Sequence, residues 1–507
     1  MDDRTRSLIG RLSPRGRGLA LLGLCTAVRA ISLFWPCISD DEATYSVVGR
    51  EMLRGRALYL EIVDHKPPAI YLVNEVCQAI GGPVGGQLVL HALLILAVWG
   101  TAMVLARISR RLGSDARTAW IAALLYIVFT TTLIDTDSLA ANCELFMMLP
   151  LAASVELFLA ERFLLAGVLV GVAMLFKYQA GIQLPLFGLT ILIRERRLPL
   201  QIVAHGVSIA IGCAATIATA AAYLHLHGAL DAGWFWFRFN FAYIDTGSST
   251  AKLTAMASRI GLVIAGAAPL YLWAARAAVG HKHRRPHRAF VLGWLAASAL
   301  AIIVGGRFFG HYFHQVTAPL AVLAAPAAAA FAQRHGRLFI AALAVPAALF
   351  FALAAGHEQI MRAAGEPDPD YASVVAYLDA HGTPEDALCV WGNSPVLYFA
   401  AARPLGCRFV FSNYITGMSP ATPSQTDPDL DSSRNAVPVA TQMMIADLAQ
   451  REPMFFIDAS IGNVGFYGKY PPAKFPWLAK ILACRYAPEV DIAGMRIYRR
   501  LGNPRCN

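Results

Sequence analysis

The sequence predicts a polytopic α-helical membrane protein with about eleven transmembrane helices and a C-terminal α/β domain outside the cytoplasm. Of its 507 residues, 57% are hydrophobic and 15% are charged, and the mean hydropathy is +0.50. This composition excludes a soluble globular protein. Apolar segments long enough to cross a bilayer recur up to residue 355, and charged residues, prolines and turn residues dominate afterwards. We therefore predict a transmembrane domain over 1–355 and a soluble domain over 356–507, with helices over 371–381, 395–401 and 440–450 and strands over 387–391, 454–458 and 495–499.

Eleven apolar segments are candidates for membrane spans, because about 20 apolar residues in a helix cover the hydrocarbon core of a bilayer. They are 17–36, 86–106, 117–134, 143–160, 163–179, 180–193, 200–224, 257–278, 289–305, 315–332 and 338–355. The segments 163–179 and 180–193 are joined by almost no loop. An error there changes the number of spans by two and leaves the sidedness of the others unchanged.

Lysine and arginine clusters predict the orientation of these spans. If the spans alternate, the basic clusters fall on one side, and basic loops mark the cytoplasmic side. These clusters are the N-terminal arginines and the segments 107–117, 161–162, 194–197, 281–288 and 333–337. The N-terminus is then cytoplasmic and the C-terminal domain periplasmic or extracellular. The net charge of +10 is explained by this distribution, so nucleic acid is not an expected partner.

The first external loop, residues 37–85, is the most polar segment of the N-terminal half. Its residues 43–53 have helical spacing, which predicts a helix on the membrane surface with Arg50 and Glu51 exposed. A second helix is predicted over 69–80, ended by the turn Gly81-Gly82-Pro83.

An ordered series of residues follows the first apolar span in this loop. The series is Asp41-Glu42, Tyr45, Gly55, Tyr59, Asp64 and Lys66-Pro67-Pro68. It resembles the first external loop of the GT-C membrane glycosyltransferases, in the branch of protein O-mannosyltransferases and ArnT-like lipid A aminoarabinose transferases. The resemblance implies a GT-C-like fold and a polyprenyl-phosphate sugar as the donor substrate.

Roles for the first-loop residues follow from this resemblance. Asp41 is expected to deprotonate the acceptor hydroxyl as a general base, with Glu42 as a supporting carboxylate. Asp40 is either a further supporting carboxylate or, more simply, the N-cap of the helix. Lys66 is expected to bind the donor phosphate, and the alternative is a lysine that snorkels to the interface. Asp64 would orient Lys66 or the loop.

A second group of acidic residues lies before the predicted span 143–160. Relatives have an acidic residue at the head of this helix, which Glu144 matches, with Asn142 beside it in a supporting role; Asp135 and Asp137 are alternatives. Carboxylates from two loops, Asp41 and Glu144, could bind a divalent cation through oxygen ligands. A divalent cation is the one cofactor that the sequence suggests.

Two further polar groups are candidates for binding the donor phosphate. Lys177 interrupts an apolar stretch, where an ionisable residue is costly and therefore indicates function. The segment RFFGHYFH places Arg307, His311, Tyr312 and His314 on one basic and aromatic surface. The alternative is that this segment is an ordinary positively charged helix end.

An aromatic run and the cysteines leave alternatives open. The run over 234–243 fits either a surface that holds the polyprenyl chain or an ordinary aromatic belt at the bilayer boundary. The nine cysteines lack zinc-site spacing. Cys37 and Cys77 could form a disulfide, as could the tail cysteines Cys389, Cys407, Cys484 and Cys506. Free buried thiols are the alternative for each.

Together these features predict an inverting hexosyl- or pentosyltransferase in the inner membrane of a bacterium. Its acceptor would be lipid A or lipopolysaccharide, another cell-envelope glycan, or protein. A transporter or flippase of lipid-linked sugars is the first alternative, although the polar residues gather in loops and the spans show no internal repeat. A non-catalytic assembly protein whose tail binds envelope polymer is the second.

Overall fold

The chain folds into a helical bundle followed by a mixed domain with a small sheet. The computed structural model describes residues 13–35, 37–133, 138–244, 249–279, 285–363, 369–420 and 422–506. In the bundle, the described helices are α1 (Pro14–Arg29), α2 (Asp40–Leu53), α3 (Ala69–Arg111), α4 (Ala116–Thr131), α5 (Cys143–Leu159), α6 (Phe163–Met174), α7 (Gln183–Arg194), α8 (Pro199–Leu226), α9 (Leu230–Ile244), α10 (Ser249–Gly266), α11 (Ala268–Val279), α12 (Arg285–Gly305), α13 (His314–Arg334) and α14 (Gly336–Ala355).

Every predicted span overlaps at least one of these helices, but not every helix is long enough to cross a bilayer. Among the described residues, six helices are long and apolar enough, or seven if α10 and α11, which meet at 89°, form one bent span. Helices α6 and α7 have 12 residues each, which corresponds to about 18 Å against a hydrocarbon core of about 30 Å. The count of eleven spans is therefore not confirmed.

Basic connections between the helices gather at one end of the bundle. Arg111, at the end of α3, lies 2.8 Å from Glu156 near the end of α5, and Arg194, at the end of α7, lies 2.9 Å from Glu161. His287, at the start of α12, donates a hydrogen bond to the backbone just after α3. The ends of α3, α5 and α7 and the start of α12 therefore meet at one end of the bundle.

Helix α2 begins one residue earlier than an Asp40 cap would require. The Ser39 hydroxyl accepts a hydrogen bond from the backbone N–H of Glu42 at 3.3 Å, so Ser39 is the N-cap and the proposed capping role of Asp40 is wrong. Three carboxylates, those of residues 40–42, occupy the first turn, where the helix dipole favours negative charge. Gly49 lets α2 pack closely on α3, because a Cβ there would lie 2.7 Å from the backbone nitrogen of Glu75.

Helix α3 combines the predicted second loop helix and the next span in one element of 43 residues, interrupted at Gly82. Gly82 has φ 68°, a left-handed conformation that glycine adopts without steric cost. Pro83 follows it and cannot donate a helical hydrogen bond. The predicted break at the Gly-Gly-Pro turn is confirmed, and the helix resumes directly after it.

The C-terminal domain has a four-stranded sheet with helices beside it. Its elements are α15 (His357–Ala363), α16 (Tyr371–His381), β1 (Leu388–Trp391), α17 (Pro395–Ala401), α18 (Asn413–Thr416), α19 (Pro423–Thr426), α20 (Ala440–Gln450), β2 (Phe455–Asp458), α21 (Pro476–Arg485), β3 (Tyr486–Ile492) and β4 (Met495–Arg500). The strand order is β1-β2-β4-β3; β1 and β2 are parallel and the other pairs antiparallel. Helices predicted over 371–381, 395–401 and 440–450 match the structure.

This domain packs against the first external loop. Arg50 donates a hydrogen bond to the backbone carbonyl of Tyr398 at 2.7 Å, and Glu51 accepts one from the backbone N–H of Leu405 at 3.3 Å. Arg50 and Glu51 are 5% and 0% exposed, so the prediction that both are exposed is wrong. The surface that helical spacing assigns to water is covered by a domain that begins 300 residues later in the chain.

The described cysteines form one disulfide, between Cys484 and Cys506. Cys37 and Cys77 are free thiols, as one of the two sequence interpretations held. Cys77 is buried on α3 and packs as a small hydrophobic side chain.

Candidate active site

A cavity of about 1020 Å³ lies between the first external loop, helix α9, the segment before α13 and the C-terminal domain. The bundle side is lined by residues that include Asp41, His65, Lys66, Phe235, Arg238, Phe239, His311 and Tyr312. The C-terminal domain forms the opposite wall with residues between 393 and 438, such as Asn413 and Arg434.

Five of the predicted site residues form a row of ionisable side chains, of which Lys66, Asp41 and His311 line this cavity. Lys66 Nζ lies 3.4 Å from Asp41 Oδ1, and His311 Nε2 lies 4.0 Å from Asp41 Oδ2 and 3.8 Å from Glu144 Oε1. Lys177 Nζ closes the row with an ion pair to Glu144. The Asp41 side chain is 38% exposed and that of Glu144 4%, so Asp41 is the carboxylate that a substrate can reach.

Tyrosines of the first external loop hold Lys66 in place. Tyr59 donates a hydrogen bond to the Lys66 carbonyl at 2.6 Å, and the Tyr71 hydroxyl accepts one from the Lys66 backbone N–H at 3.3 Å. The Lys66 ammonium lies 5.3 Å from the centre of the Tyr45 ring, a distance at which the ring quadrupole attracts a cation. The series thus encodes the position of one ammonium group.

Asp64 anchors the same loop through buried hydrogen bonds. It is 1% exposed, and its carboxylate accepts hydrogen bonds from the hydroxyls of Tyr71 at 2.7 Å and Tyr414 at 3.3 Å. Burial alone would raise the pKa of Asp64, but His65, through its charge and hydrogen bond, and Lys66 hold that pKa well below its usual range. Asp64 therefore stays ionised and links the first external loop to Tyr414 of the C-terminal domain.

The charges of Asp41 and Asp64 act on Lys66 in turn. Burial alone would lower the pKa of the Lys66 ammonium, but these two carboxylates raise it well above its usual range. Lys66 is consequently a permanent cation at physiological pH.

Lys177 lies in the break between α6 and α7, where the backbone is extended. Its ammonium lies 3.4 Å from the centre of the Tyr312 ring. Glu144 occupies the first turn of α5, and Asn142, just before this helix, is 0% exposed. Both polar atoms of the Asn142 side chain lack a hydrogen-bond partner among the described residues, so Asn142 is positioned beside the site without a direct contact to it.

Arg307 and Glu42 are placed differently from the other predicted residues. Arg307 Nη2 donates a hydrogen bond to the Ser419 hydroxyl at 2.8 Å, so its guanidinium joins the bundle to the C-terminal domain. Glu42 is 0% exposed and faces away from the cavity. Its carboxylate accepts hydrogen bonds from Gln87 and, at 2.7 Å, from the backbone N–H of Ala141.

The aromatic run forms α9, which clamps the first loop. Trp236 Nε1 donates to the Tyr59 carbonyl at 3.2 Å, and Asn240 donates to the His65 carbonyl at 2.9 Å. The Trp236 ring also packs on Tyr414 with centres 4.8 Å apart. Outward-facing rings of the same helix, such as Trp234, are largely exposed; the side chains of residues 241 and 243 lie outside the described ones.

The residues at the cavity do not form a metal-binding group. No cluster of three or more His, Cys, Asp or Glu side chains with that geometry occurs in the described part of the chain. Asp41 and Glu144 each face a lysine ammonium, whereas divalent cations need several oxygen ligands free of competing cations. Asp135 and Asp137 lie outside the described residues. The predicted divalent cation is thus not confirmed.

Sequence reasoning missed the contribution of the C-terminal domain to the site. Tyr414, Asn413 and Arg434 have no motif around them that marks a site. Arg238 had a signal, because it is the one cation within the aromatic run 234–243. His91, whose Nε2 lies 3.0 Å from the Glu42 carboxylate, is a histidine within an apolar helix, and such a residue can be noticed from sequence.

No family model and no curated protein matches the chain. Among solved structures, it is similar to ArnT from Cupriavidus metallidurans bound to undecaprenyl phosphate, with a TM-score of 0.63 and 15% identity over 97% of this chain and 99% of that one. The apo state of the same ArnT gives 0.62 and 16% over 95% and 97%. The Archaeoglobus fulgidus oligosaccharyltransferase in the apo form gives 0.52 and 13% over 92% and 73%. The chain therefore has the GT-C glycosyltransferase fold of these proteins, the fold that the first-loop series predicts.

Proposed function

We propose that the protein transfers a sugar from a polyprenyl-phosphate donor to an acceptor outside the cytoplasm, with inversion at the anomeric carbon. The observation that carries this proposal is the row Lys66–Asp41–His311–Glu144–Lys177, whose first three members line one large cavity. It combines a reachable carboxylate with two ammonium groups, which is what displacement of a phosphate by a hydroxyl requires. The undecaprenyl phosphate bound to the similar ArnT supports the choice of donor.

In the proposed reaction, Asp41 accepts the proton of the acceptor hydroxyl. The hydroxyl oxygen forms a bond to the anomeric carbon while the bond from that carbon to the phosphate oxygen breaks. Lys66 and Lys177 bind the polyprenyl phosphate that leaves, as point charges. His311 and Tyr312 complete the phosphate site, because His311 bridges the two carboxylates and the Tyr312 ring holds the Lys177 ammonium.

Binding of the donor would also prepare the base. Lys66 is paired with Asp41 at 3.4 Å, and the phosphodiester monoanion of the donor competes with Asp41 for the same ammonium. When Lys66 turns to the phosphate, Asp41 is released from its cation and becomes a better proton acceptor. Arg307, which contacts Ser419, would support the phosphate site indirectly by holding the cavity wall.

The acceptor would approach from the wall formed by the C-terminal domain. This wall carries amide and guanidinium side chains, such as those of Asn413 and Arg434, which can hydrogen-bond sugar hydroxyls or other polar groups. The acceptor class is lipid A or lipopolysaccharide, another envelope glycan, or protein, and the sugar is a hexose or a pentose. We place the protein in a bacterial inner membrane, with the C-terminal domain in the periplasm.

The test is turnover of labelled polyprenyl-phosphate pentoses and hexoses by the purified protein in lipid nanodiscs. We expect release or transfer of the sugar from one donor, and loss of this activity in Asp41→Asn and Lys66→Ala. Matched controls are Asp429→Asn and Lys480→Ala, which change exposed residues of the C-terminal domain. Donor binding without turnover under every acceptor and metal condition, equal in all variants, would reject the transferase and favour a flippase of lipid-linked sugars.

A further inference from the structure

Two buried cysteines of the C-terminal domain face each other outside the disulfide already described. Cys389 Sγ and Cys407 Sγ lie 2.8 Å apart, and the two residues are 0% and 1% exposed. We propose that Cys389 and Cys407 form a second disulfide, which fixes the segment that joins this domain to the first external loop. The proposal rests on the periplasmic placement of the domain and not on the transferase activity.

The backbone brings these two residues together. Cys389 lies in β1, and the segment after α17 runs along the free edge of this strand. Leu388 donates a backbone hydrogen bond to Pro404 at 2.9 Å and accepts one from Gly406 at 2.8 Å. This pairing holds the two segments together, and the Cys389 and Cys407 sulfur atoms lie in direct contact.

The segment held in this way also contacts the first external loop. Leu405 donates its backbone N–H to the Glu51 carboxylate. Val63 donates its backbone N–H to the Arg408 carbonyl at 2.9 Å, and the Arg408 guanidinium donates to the Leu60 carbonyl at 3.0 Å. A covalent bond at Cys407 therefore ties the sheet to the residues that position the segment from 60 to 66.

The oxidation is a thiol–disulfide exchange, in which a thiolate is the nucleophile. The Cys407 thiolate would attack the disulfide of an oxidant, and Cys389 would then displace the oxidant from the mixed disulfide. Two S–H bonds are lost and one S–S bond forms. The two protons and two electrons reduce the oxidant, a disulfide-bearing oxidoreductase or a small disulfide, to two thiols.

Both sulfur atoms are buried in the folded domain, so this exchange takes place before the segment packs on the strand. Cys484–Cys506 serves as an internal reference, because the same compartment must oxidise both pairs.

The experiment is peptide mapping of the full-length protein, purified in lipid nanodiscs without reductant. The protein is denatured in N-ethylmaleimide, digested without reduction and analysed by mass spectrometry. We expect cross-linked peptides for Cys389–Cys407 and for Cys484–Cys506, and alkylated peptides for Cys77. Alkylation of both Cys389 and Cys407 overturns the proposal, whether or not Cys484–Cys506 is cross-linked.

Thermal unfolding supplies a second readout. In Cys484→Ser, where the first disulfide is absent, a phosphine reductant should still lower the apparent Tm. The same treatment should leave the apparent Tm of Cys389→Ser/Cys484→Ser unchanged. Equal Tm with and without reductant in Cys484→Ser, in samples where peptide mapping shows that the Cys389–Cys407 cross-link has been reduced, would contradict the proposal. Absence of the Cys389–Cys407 cross-link in a protein that transfers sugar normally would mean that this inference fails and the proposed function stands. A cross-link in a protein without sugar transfer would mean the reverse.

Discussion

Asp41 and Glu42 are neighbours in the first turn of α2, yet the structure predicts opposite consequences of neutralising them. The Asp41 side chain is 38% exposed at the cavity, and its lysine partner is partly exposed as well. Exposed ion pairs stabilise proteins by about 0–1 kcal/mol. We therefore expect Asp41→Asn to leave the apparent Tm nearly unchanged. As the proposed general base, Asp41 should account for about 10²–10⁴-fold in kcat.

Glu42→Gln should instead lower stability. The Glu42 carboxylate is fully buried, with Gln87 and His91 at Oε1 and the Ala141 N–H at Oε2. A glutamine offers one carbonyl oxygen and one NH₂ group, so at least one of these donors would face another donor. Leaving a buried donor unsatisfied costs about 1–3 kcal/mol. Donor turnover per folded molecule should fall much less than in Asp41→Asn.

The assay measures two quantities for each variant in the same detergent. These are the initial rate of donor cleavage, normalised to folded protein by size-exclusion chromatography, and the apparent Tm. The reasoning is refuted if Glu42→Gln melts like the wild type and loses as much activity as Asp41→Asn. It is equally refuted if Asp41→Asn keeps its kcat within tenfold, because the base would then be another group.

Three further predictions concern the charges around the cavity. Lys177→Met leaves Glu144 buried without its cation, which should lower the free energy of unfolding by about 3–5 kcal/mol. Thermal unfolding should show that adding Glu144→Gln recovers most of this loss. If the destabilisations of the two single variants add up in the double variant, the pairing is contradicted. Tyr414→Phe removes a hydrogen bond to ionised Asp64, which is worth about 1.5–3 kcal/mol. Limited proteolysis should therefore cut the C-terminal domain faster in this variant. An unchanged rate of cleavage would speak against this contact. The pKa of Lys66 is raised, so its charge is present at all pH values below the usual lysine pKa and is lost only as the pH rises through the higher pKa of the folded protein. The Kd for polyprenyl phosphate should therefore stay constant from pH 7 to 10. Weaker binding by the wild type than by Lys66→Arg at pH 10 would disprove this.

The local parts of the fold were predictable from the chain alone. The helices over 371–381, 395–401 and 440–450 depend on residue spacing and on caps such as Asp370, which accepts a hydrogen bond from the Ser373 N–H. The break at Gly82 depends on one residue and the proline after it. Strand β3 and helix α21 were missed, because the alternation in 486–492 is irregular where the pairing shifts register between Pro488 and Val490.

Parts of the candidate site were also predictable. Lys66, Tyr59 and Asp64 lie within eight residues, so the loop that positions them is encoded in one short series. Lys177 was identified as an ionisable residue in an apolar stretch, Glu144 from the resemblance and His311 from its basic and aromatic segment. The structure brings the three side chains together. Of these identifications, that of Lys177 used the cost of a buried charge without a partner.

The sequence by itself determined the apolar helices, the series around Lys66 and the candidate charged residues, because helix formation and hydropathy act over a few neighbouring residues. Only the tertiary structure decided which of these residues face the cavity. Arg50 and Glu51 are buried because the C-terminal domain covers them, and Arg307 is engaged by Ser419. Adjacent Asp41 and Glu42 differ because one faces the cavity and the other meets α3 and the segment before α5. Burial and partner choice depend on contacts between segments more than 350 residues apart, which no local pattern contains.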